Sequence, residues 1–319
     1  MTQQRAPSVS VAIVKDGKLA WTGAYGSADL ENSVPAKTST MYRLASISKP
    51  ITATAVMQLA EAGKLDLDAP IQKYCSAYPE KQWPVTAREL LGHLAGVRHY
   101  KHPDEWKSTM HYESVTESLD FFKADPLDFE PGTKYQYSTF AFSILGCAVE
   151  GASGMKFADY LQEKVFRPAG MDQIQTDDTF AIIPNRAHGY RKTEKGEVVN
   201  TVLADTSNKI PGGGMISTAT DLADFAIATM HAKLVSPATL EKMWTPQAMR
   251  DGNKTGSGLD WGLGEIKGHK KVSHSGAQPG TSTDLILVPD LNAAVVVMIN
   301  MDGVPASQLA DQILVGVVP

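Results

Sequence analysis

The segments richest in β-forming residues lie near the two ends of this chain, and this arrangement limits the folds it can adopt. Near the N-terminus, two β-rich runs flank Asp16 and Gly17, a strong signal for a hairpin. Near the C-terminus, the run TDLILVPDLNAAVVVMIN predicts two strands around residues 289–292, and single strands are expected at 271–275 and 262–266. We therefore expect one antiparallel sheet built from both chain ends.

The part of the chain between these strands, roughly residues 71–204, reads as mostly helical and loop-like. Strands at the ends and helices in the middle favour an α+β fold over alternating βαβ units. The prediction is an antiparallel β-sheet flanked by helices. Residues 1–70 and 205–319 would form a discontinuous sheet domain, residues 71–204 a mostly helical insertion, and the active site would lie between them. The predicted helices cover residues 86–94, 115–122, 140–152 and 155–166.

Charge and hydrophobicity exclude several kinds of partner. The formal net charge of −5 argues against nucleic acid or an anionic membrane surface, because both would favour a basic face. The longest purely apolar run, residues 293–299, is too short to cross a bilayer. No transmembrane segment and no nucleic-acid partner are therefore predicted, and the oligomeric state stays open.

The first ten residues, MTQQRAPSVS, are polar and show no apolar signal core. This fits either a cytosolic chain or a periplasmic or secreted chain that lacks its leader, so the compartment stays open. The two cysteines, Cys75 and Cys147, are too few for a disulfide framework. Isolated thiols are favoured over a disulfide, and the spacing of cysteines and histidines does not suggest zinc.

One predicted helix, within residues 44–70, carries an unusual group of residues at its start. Proline is tolerated in a first helical turn, so Pro50 places the helix start close to Ser46, and Gly63 is expected to end the helix. Ser46 then lies at the positive end of the helix dipole. Lys49 shares its helix face, so its amine can reach the Ser46 hydroxyl and act as a general base when desolvated.

The alternative interpretation is structural. Ser-x-x-Lys is a short pattern, and a second copy occurs at Ser153 and Lys156, where the serine is expected to cap the following helix. Ser46 could equally be a helix cap, with Lys49 a solvated side chain.

Two other segments strengthen the chemical interpretation through their order along the chain. The run KYQYSTFAF places Tyr135 and Tyr137 just before a helix that begins near Thr139. The run KKVSHSGAQPG places His274 at the end of a strand, before small residues that would let a substrate backbone lie along the strand edge. Taken singly, Tyr137 is more often a packing residue and His274 a strand histidine with satisfied hydrogen bonds.

Together these motifs resemble the serine β-lactamase and penicillin-binding-protein superfamily. The similarity runs from about residue 8 to about residue 303, and it is greatest to the branch of class C β-lactamases, D-alanyl-D-alanine carboxypeptidases, D-aminopeptidases and related esterases. Within that branch the chain is most similar to the group of the mitochondrial serine β-lactamase-like protein and its bacterial relatives. The segments that carry the resemblance are ASISKPITA, LLGHLAGVRHY, YSTFAFSILG, NRAHGY and PGGGMISTATDLADF.

The resemblance implies roles for individual residues. Ser46 would be the acylated nucleophile, Lys49 its proton acceptor, and Tyr137 the group that passes a proton to the leaving group. His274 would stand at the first position of the Lys-Thr-Gly strand motif. The backbone amides of Ser46 and Ala277 would form the oxyanion hole, where one donor typically contributes a few kcal/mol.

The chain departs from the family pattern at two positions. Thr139 stands where many members have asparagine, which alters a contact to the substrate amide. His274 replaces lysine, and histidine titrates near neutrality. Ser275 and Gly276 complete the predicted substrate-binding strand.

The predicted function is a serine hydrolase without a cofactor, acting on a β-lactam, a D-amino-acid peptide or an ester. A carboxylesterase with the same machinery is the first alternative, and a non-catalytic scaffold that retains the fold is the second. The expected partner is a small-molecule or peptide substrate.

Three other patterns favour structural interpretations. Residues 211–214, PGGG, lack the Gly-Lys-Ser/Thr of a phosphate loop and are expected to lead into a helix capped near Thr218. Residues 124–135 are acid-rich and resemble a turn more than the carboxylate pair of a glycosidase. A crowd of histidines is spaced too irregularly to favour a metal site, and its members are His93, His99, His102 and His111.

Overall fold

The computed structural model of the protein describes residues 5–319, so the first four residues of the predicted sheet domain lie outside it. The strands, in chain order, are β1 (Ser8–Lys15), β2 (Lys18–Asp29), β3 (Val34–Pro35), β4 (Tyr42–Arg43), β5 (Gln175–Thr176), β6 (Tyr190–Lys192), β7 (Val198–Asn200), β8 (Met215–Ser217), β9 (Gly262–Ile266), β10 (His269–Gln278), β11 (Thr281–Val288) and β12 (Ala293–Ile299).

Within the described residues, seven strands form the main sheet in the order β3-β2-β1-β12-β11-β10-β9. Every neighbouring pair is antiparallel. Strands from the two chain ends meet at the centre, where Val11 of β1 lies opposite Val297 of β12. The two predicted hairpins, β1–β2 and β11–β12, are both present, and the predicted sheet built from both chain ends is confirmed.

The central strands are buried on both faces, which explains their continuous apolar sequence. Leu285 and Leu287 of β11 pack into the larger core, on the side of the central helices. Their neighbours Ile286 and Val288 pack on the opposite face, into a second core that includes Leu314 of the last helix. Alternate side chains of a strand point to opposite faces, so a strand covered on both sides needs apolar residues throughout.

The helices, in chain order, are α1 (Ser48–Glu61), α2 (Ala87–Leu91), α3 (Pro103–Trp106), α4 (Val115–Ser118), α5 (Phe140–Ser153), α6 (Phe157–Leu161), α7 (Arg167–Ala169), α8 (Ile210–Gly213), α9 (Ala219–Met230), α10 (Pro237–Met243) and α11 (Ala306–Val317). Each of the four predicted helical segments contains a helix. In the described part of the chain, none of these helices has the length and apolar character needed to span a membrane.

Some details of the middle segment differ from the prediction. The short strands β5, β6 and β7 fall within residues 71–204. Strands of two or three residues are too short to show an alternating pattern, so the sequence did not indicate them. The predicted helix over residues 155–166 begins two residues later and is interrupted by a π-helical turn at Gln162–Phe166. The division into a sheet domain and an insertion remains a prediction.

Helix α1 is the most buried helix of the site region. A 3₁₀ turn, Ala45–Ile47, leads directly into it, and it ends at Glu61 ahead of Gly63, whose φ of +66° suits a helix stop. It packs against α5 and α8, so its polar groups need internal partners. The Thr52 hydroxyl, for example, lies within hydrogen-bonding distance of the Pro211 carbonyl at 2.7 Å.

Cys75 and Cys147 form a disulfide, so the expectation of two isolated thiols is wrong. The bond joins the segment after the 3₁₀ turn Ile71–Lys73 to the middle of α5, across 72 residues of sequence. The fold brings the two Cα atoms to 5.4 Å, within the usual range for a disulfide. Nothing in the spacing of the two cysteines could indicate this proximity.

The predicted cap at Ser153 is also wrong. Ser153 is the last residue of α5, and its hydroxyl accepts a hydrogen bond from the amide of Met155. The amide of Phe157, the first residue of α6, donates instead to the Glu150 carboxylate at 3.0 Å. By contrast, the predicted cap before α9 is confirmed, because the Thr218 hydroxyl accepts from the amide of Asp221.

Candidate active site

Ser46 lies in the 3₁₀ turn that precedes α1, on a constrained stretch of backbone. Its neighbour Ala45 has a φ of +49°, a left-handed conformation that is costly for a residue with a side chain. Leu44, just before it, is held from two sides, since its amide donates to the Met215 carbonyl and its own carbonyl accepts from the Thr283 hydroxyl. The turn thus presents Ser46 in a conformation that the surrounding structure imposes.

Lys49 lies beneath Ser46 and is completely buried. Its Nζ is 3.0 Å from the Oγ of Ser46 and 2.6 Å from the carbonyl oxygen of Gly212, to which it donates. Burial lowers the pKa of Lys49 to about 7, with the nearby charge of Asp260 opposing the shift and that of Lys209 adding to it. A substantial fraction of the amine is therefore neutral at neutral pH and can accept a proton.

Tyr137 forms the opposite side of this buried group. Its ring centroid lies 4.8 Å from the Nζ of Lys49, and the Ser46 side chain is near enough to act on its hydroxyl. Burial and the charge of Asp260 raise the pKa of Tyr137 well above its usual value. The phenol therefore keeps its proton at neutral pH and is suited to donate it.

The end of β10 passes very close to the turn that carries Ser46. A Cβ atom on Gly276 would lie 2.3 Å from the Oγ1 of Thr283, 2.4 Å from the carbonyl oxygen of Leu44 and 3.1 Å from the amide nitrogen of Ser46. Only glycine fits at such distances from fixed backbone. This close approach places the strand beside the turn that carries Ser46.

One edge of β10 is left open beside Ser46. The pairing of β10 with β9 ends where Ser273 lies opposite Gly262, whereas its pairing with β11 continues to Gln278. The segment 274–278 therefore has a strand partner on the β11 side alone, and an extended peptide could add to its other side.

Asp260 lies between two histidines of the site and is completely buried. The Nδ1 of His93 accepts from the amide of Ser138, so its Nε2, 3.2 Å from the Oδ1 of Asp260, carries the proton. His274 differs, because its Nδ1 is 2.7 Å from the Ser275 carbonyl oxygen and its Nε2 is 3.4 Å from the same Oδ1. Both neighbours of His274 are hydrogen-bond acceptors, the Ser275 carbonyl and the Asp260 carboxylate.

These histidines set the charge of Asp260. Burial opposes its ionisation, but the charge of His274 and the hydrogen bonds from both rings lower the pKa of Asp260 below its usual value. Burial lowers the pKa of His93, in agreement with its neutral form. The group is therefore a buried carboxylate held between the neutral His93 and His274.

Thr139 stands at the N-cap of α5. Its amide donates to the Nδ1 of His99 at 3.2 Å. Burial, together with the charge of Lys49, lowers the pKa of His99 to about 4, so this histidine is neutral at neutral pH.

These side chains line a cavity of about 330 Å³. All predicted site residues except Lys49 and Gly276 contribute to its wall, and they are Ser46, Tyr137, Thr139, His274, Ser275 and Ala277. Lys49 and Gly276 lie just behind the wall and contact Ser46 from there. A second cavity, of about 280 Å³, shares Tyr137, His274 and Ser275 with the first.

The sequence interpretation missed three residues of this region, Asp260, His93 and Lys209. Asp260 and Lys209 belong to no recognisable motif, and their burial could have been inferred only from the fold.

The sequence interpretation considered His93 as one of four histidines close together in the chain, which the structure separates. His93 and His99 lie at the site, whereas His111 is paired with Asp205 at 2.8 Å and His102 is exposed. No group of potential ligands suited to a metal ion occurs within residues 5–319.

Comparisons with known proteins show which family this chain is similar to. The family described as "Beta-lactamase" matches residues 1–317. The human "Serine beta-lactamase-like protein LACTB, mitochondrial" is 32% identical and aligns with 89% of this chain and 69% of its own. "Penicillin-binding protein 4*" of Bacillus subtilis is 29% identical, over 92% of this chain and 68% of its own. The crystal structure of a penicillin-binding protein from Bacillus halodurans is 27% identical and superimposes with a TM-score of 0.83, covering 98% of this chain and 97% of that one.

Proposed function

This chain belongs to the beta-lactamase family, and on that basis we propose that it is a serine hydrolase that works through an acyl-enzyme on Ser46. The observation that carries the proposal is the 3.0 Å contact between the Nζ of Lys49 and the Oγ of Ser46, made by a completely buried lysine. A buried amine destabilises the folded state unless it loses its proton or gains a partner, so its retention here fits a catalytic base better than a scaffold.

Acylation begins when the Oγ of Ser46 attacks the substrate carbonyl and its proton moves to the neutral amine of Lys49. The Gly212 carbonyl, 2.6 Å from the amine, fixes the direction of the lysine and helps to hold the new ammonium. The helix that follows Ser46 directs its positive end at the reacting group. The resulting tetrahedral intermediate carries one negative charge on the former carbonyl oxygen.

We assign the stabilisation of that oxygen to the backbone amides of Ser46 and Ala277. The close approach of β10 at Gly276 supports this assignment, since it brings the strand beside the Ser46 amide. Two backbone amide donors that are fixed in direction before the reaction stabilise the developing oxyanion.

Collapse of the intermediate breaks the bond to the leaving group, which takes a proton from the Tyr137 hydroxyl. Tyr137 is suited to this role because its raised pKa keeps the hydroxyl protonated until the bond to the leaving group breaks. The ammonium of Lys49 then returns a proton to Tyr137. Water releases the acyl group by the reverse sequence, losing its proton to the same pair of residues and restoring the Ser46 hydroxyl.

The substrates proposed for this machinery are the amides and esters of the family, namely a β-lactam, a peptide of a D-amino acid or a carboxylic ester. The open edge at residues 274–278 supports binding of an extended substrate beside Ser46.

Intact-mass measurement after incubation with benzylpenicillin and a fluorophosphonate, together with hydrolysis of p-nitrophenyl acetate and D-alanine p-nitroanilide, tests the proposal. We expect an adduct on Ser46 with at least one probe, and its loss together with turnover in Ser46→Ala. Ser153→Ala is a matched control, because it alters the other Ser-x-x-Lys sequence at a partly buried position outside the cavity. Absence of any adduct and any turnover in the unaltered protein would remove the proposal and favour a scaffold.

A further inference from the structure

A second lysine, Lys209, is buried at the wall of the cavity that contains Ser46. It ends the 3₁₀ turn Ser207–Lys209, and its side chain is 2% exposed. Its Nζ donates to the carbonyl oxygen of Trp106 at 3.2 Å and lies 5.3 Å from the centroid of the Tyr100 ring. Trp106 and Tyr100 line the same cavity, so the amine lies at its surface.

The charge of Lys209 lacks a counterion within the described residues, where no carboxylate lies within ion-pairing distance of its Nζ. The two carboxylates whose charges act on Lys209 already have other ion-pair partners. Asp177 is paired with Arg43 at 2.7 Å, and Asp205 is paired with His111 at 2.8 Å. An ammonium has three donors, and the Trp106 carbonyl takes one of them. A buried cation without a partner is costly, and an anion entering the cavity would remove that cost.

The position of Lys209 indicates which part of a substrate would meet it. Lys209 lines the cavity of Ser46 and not its neighbour, whereas Tyr137, the proposed donor to the leaving group, borders both. The neighbouring cavity is lined by the carboxyl groups of Asp260, Asp284 and Asp311, and its one lysine, Lys271, is already paired with Asp311 at 2.9 Å. An acidic leaving group would be disfavoured there, so the acidic part of a substrate belongs on the Lys209 side.

We propose that Lys209 binds a carboxylate on the acyl portion of the substrate, so that the enzyme prefers acyl donors with an acidic side chain or tail. This inference rests on the proposed function. Burial and the charge of Arg43 lower the pKa of Lys209 to about 7. A carboxylate bound beside the amine would raise this pKa again and restore the ammonium.

Three esters test the inference. They are p-nitrophenyl pentanoate, mono-p-nitrophenyl glutarate, which adds a carboxylate to an acyl chain of the same length, and 4-(pentanoyloxy)benzoate, which carries its acid on the leaving group. We expect the unaltered enzyme to have the highest kcat/KM for the glutarate ester. In Lys209→Met, we expect the glutarate ester to lose roughly tenfold or more beyond any loss on the pentanoate ester, the size of a charge-assisted hydrogen bond.

The outcomes separate this role from a structural one. If Lys209 only holds Trp106 and Tyr100 in place, Lys209→Met lowers kcat/KM for all three esters by the same factor, and the inference is overturned. It is also overturned if the unaltered enzyme prefers the pentanoate or the benzoate ester. Lys156→Met, which changes a surface lysine outside the cavity, should leave the ratio between esters unchanged.

A binding measurement keeps the inference testable without turnover. Calorimetric titration of Ser46→Ala with glutarate should show binding that Lys209→Met, added to the same variant, weakens by roughly tenfold or more. Binding of equal strength in both variants, or no binding to Ser46→Ala, overturns the inference. Failure of all esters and all covalent probes would instead count against the proposed function, so the two failures are distinguishable.

Discussion

The Oδ1 of Asp260 lies 3.4 Å from the Nε2 of His274, a residue of the strand β10 that passes beside Ser46. The carboxylate is buried, contacts both His274 and His93, and holds the His274 ring beside Tyr137. Its charge also reaches Lys49, whose pKa it raises against the effect of burial.

Replacement of this carboxylate tests its influence. Asp260→Asn removes the negative charge, so the pKa of Lys49 should fall below about 7 and the acidic limb of the pH profile should move to lower pH. We also expect kcat/KM at neutral pH to fall by about tenfold, because His274 loses its partner. The measurement is the pH dependence of ester hydrolysis, with the exposed Asp68→Asn as control. An unmoved acidic limb would show that Asp260 does not act on Lys49.

The pH dependence of kcat/KM in the unaltered enzyme should identify the proton acceptor. Lys49 must be neutral to accept the proton of Ser46, so kcat/KM should rise with pH through about 7 and then level off. In Lys49→Arg the guanidinium stays protonated, and we expect a loss of roughly a thousandfold or more across the whole range. A variant that keeps a limb near pH 7 would assign that limb to another group.

The role of Tyr137 predicts a dependence on the leaving group. Tyr137→Phe keeps the ring against Lys49 but removes the donor, so D-alanine p-nitroanilide should lose roughly 10²–10⁴-fold in kcat. A p-nitrophenyl ester, whose leaving group needs no proton, should lose much less. Tyr135→Phe, a change in the neighbouring exposed tyrosine, is the control. Equal losses on both substrates would contradict a role in protonating the leaving group.

The close approach at Gly276 predicts a large effect from one methyl group. In Gly276→Ala the new Cβ would meet the Leu44 carbonyl at 2.4 Å, so β10 must move away from Ser46. We expect a stability loss of about 1–3 kcal/mol in urea unfolding and a fall in kcat/KM of roughly a hundredfold. Gly264→Ala on β9 is a matched control, because its Cβ would meet only the Lys271 side chain at an ordinary 3.6 Å. Full activity in Gly276→Ala would exclude a tight fit at this point.

The disulfide should contribute measurably to stability. The double variant Cys75→Ala, Cys147→Ala removes a link across 72 residues, and we expect a loss of about 2–4 kcal/mol in the free energy of unfolding. The measurement is the urea midpoint of both proteins with and without a reducing agent. Reduction should shift the unaltered protein toward the double variant and leave the double variant unchanged. Equal midpoints under all four conditions would contradict a stabilising bond.

The main sheet and the longer helices could be predicted because the signals of these strands and helices are local. The hairpin at Asp16 and Gly17, and the apolar runs that became β11 and β12, show the sheet directly. Pro50 and Gly63 mark the two ends of α1, since both residues restrict the backbone by themselves. The contact between Ser46 and Lys49 follows from the same helical spacing.

Asp260, Lys209 and the disulfide could not be predicted in this way. Each depends on a contact across a long stretch of chain, such as the 167 residues between His93 and Asp260 or the 72 between the cysteines. A pattern in sequence reports on neighbours in one helix or strand, whereas these contacts exist only after separate elements have packed.

The sequence by itself therefore determined the sheet, the helices and the placement of a serine one turn before a lysine. The tertiary structure alone decided the charges around them, because the burial that lowers the pKa of Lys49 and the carboxylate that opposes this shift come from segments far apart in the chain. The protonation state of an ionisable side chain depends on its solvent and on nearby charges, and both are properties of the packed molecule.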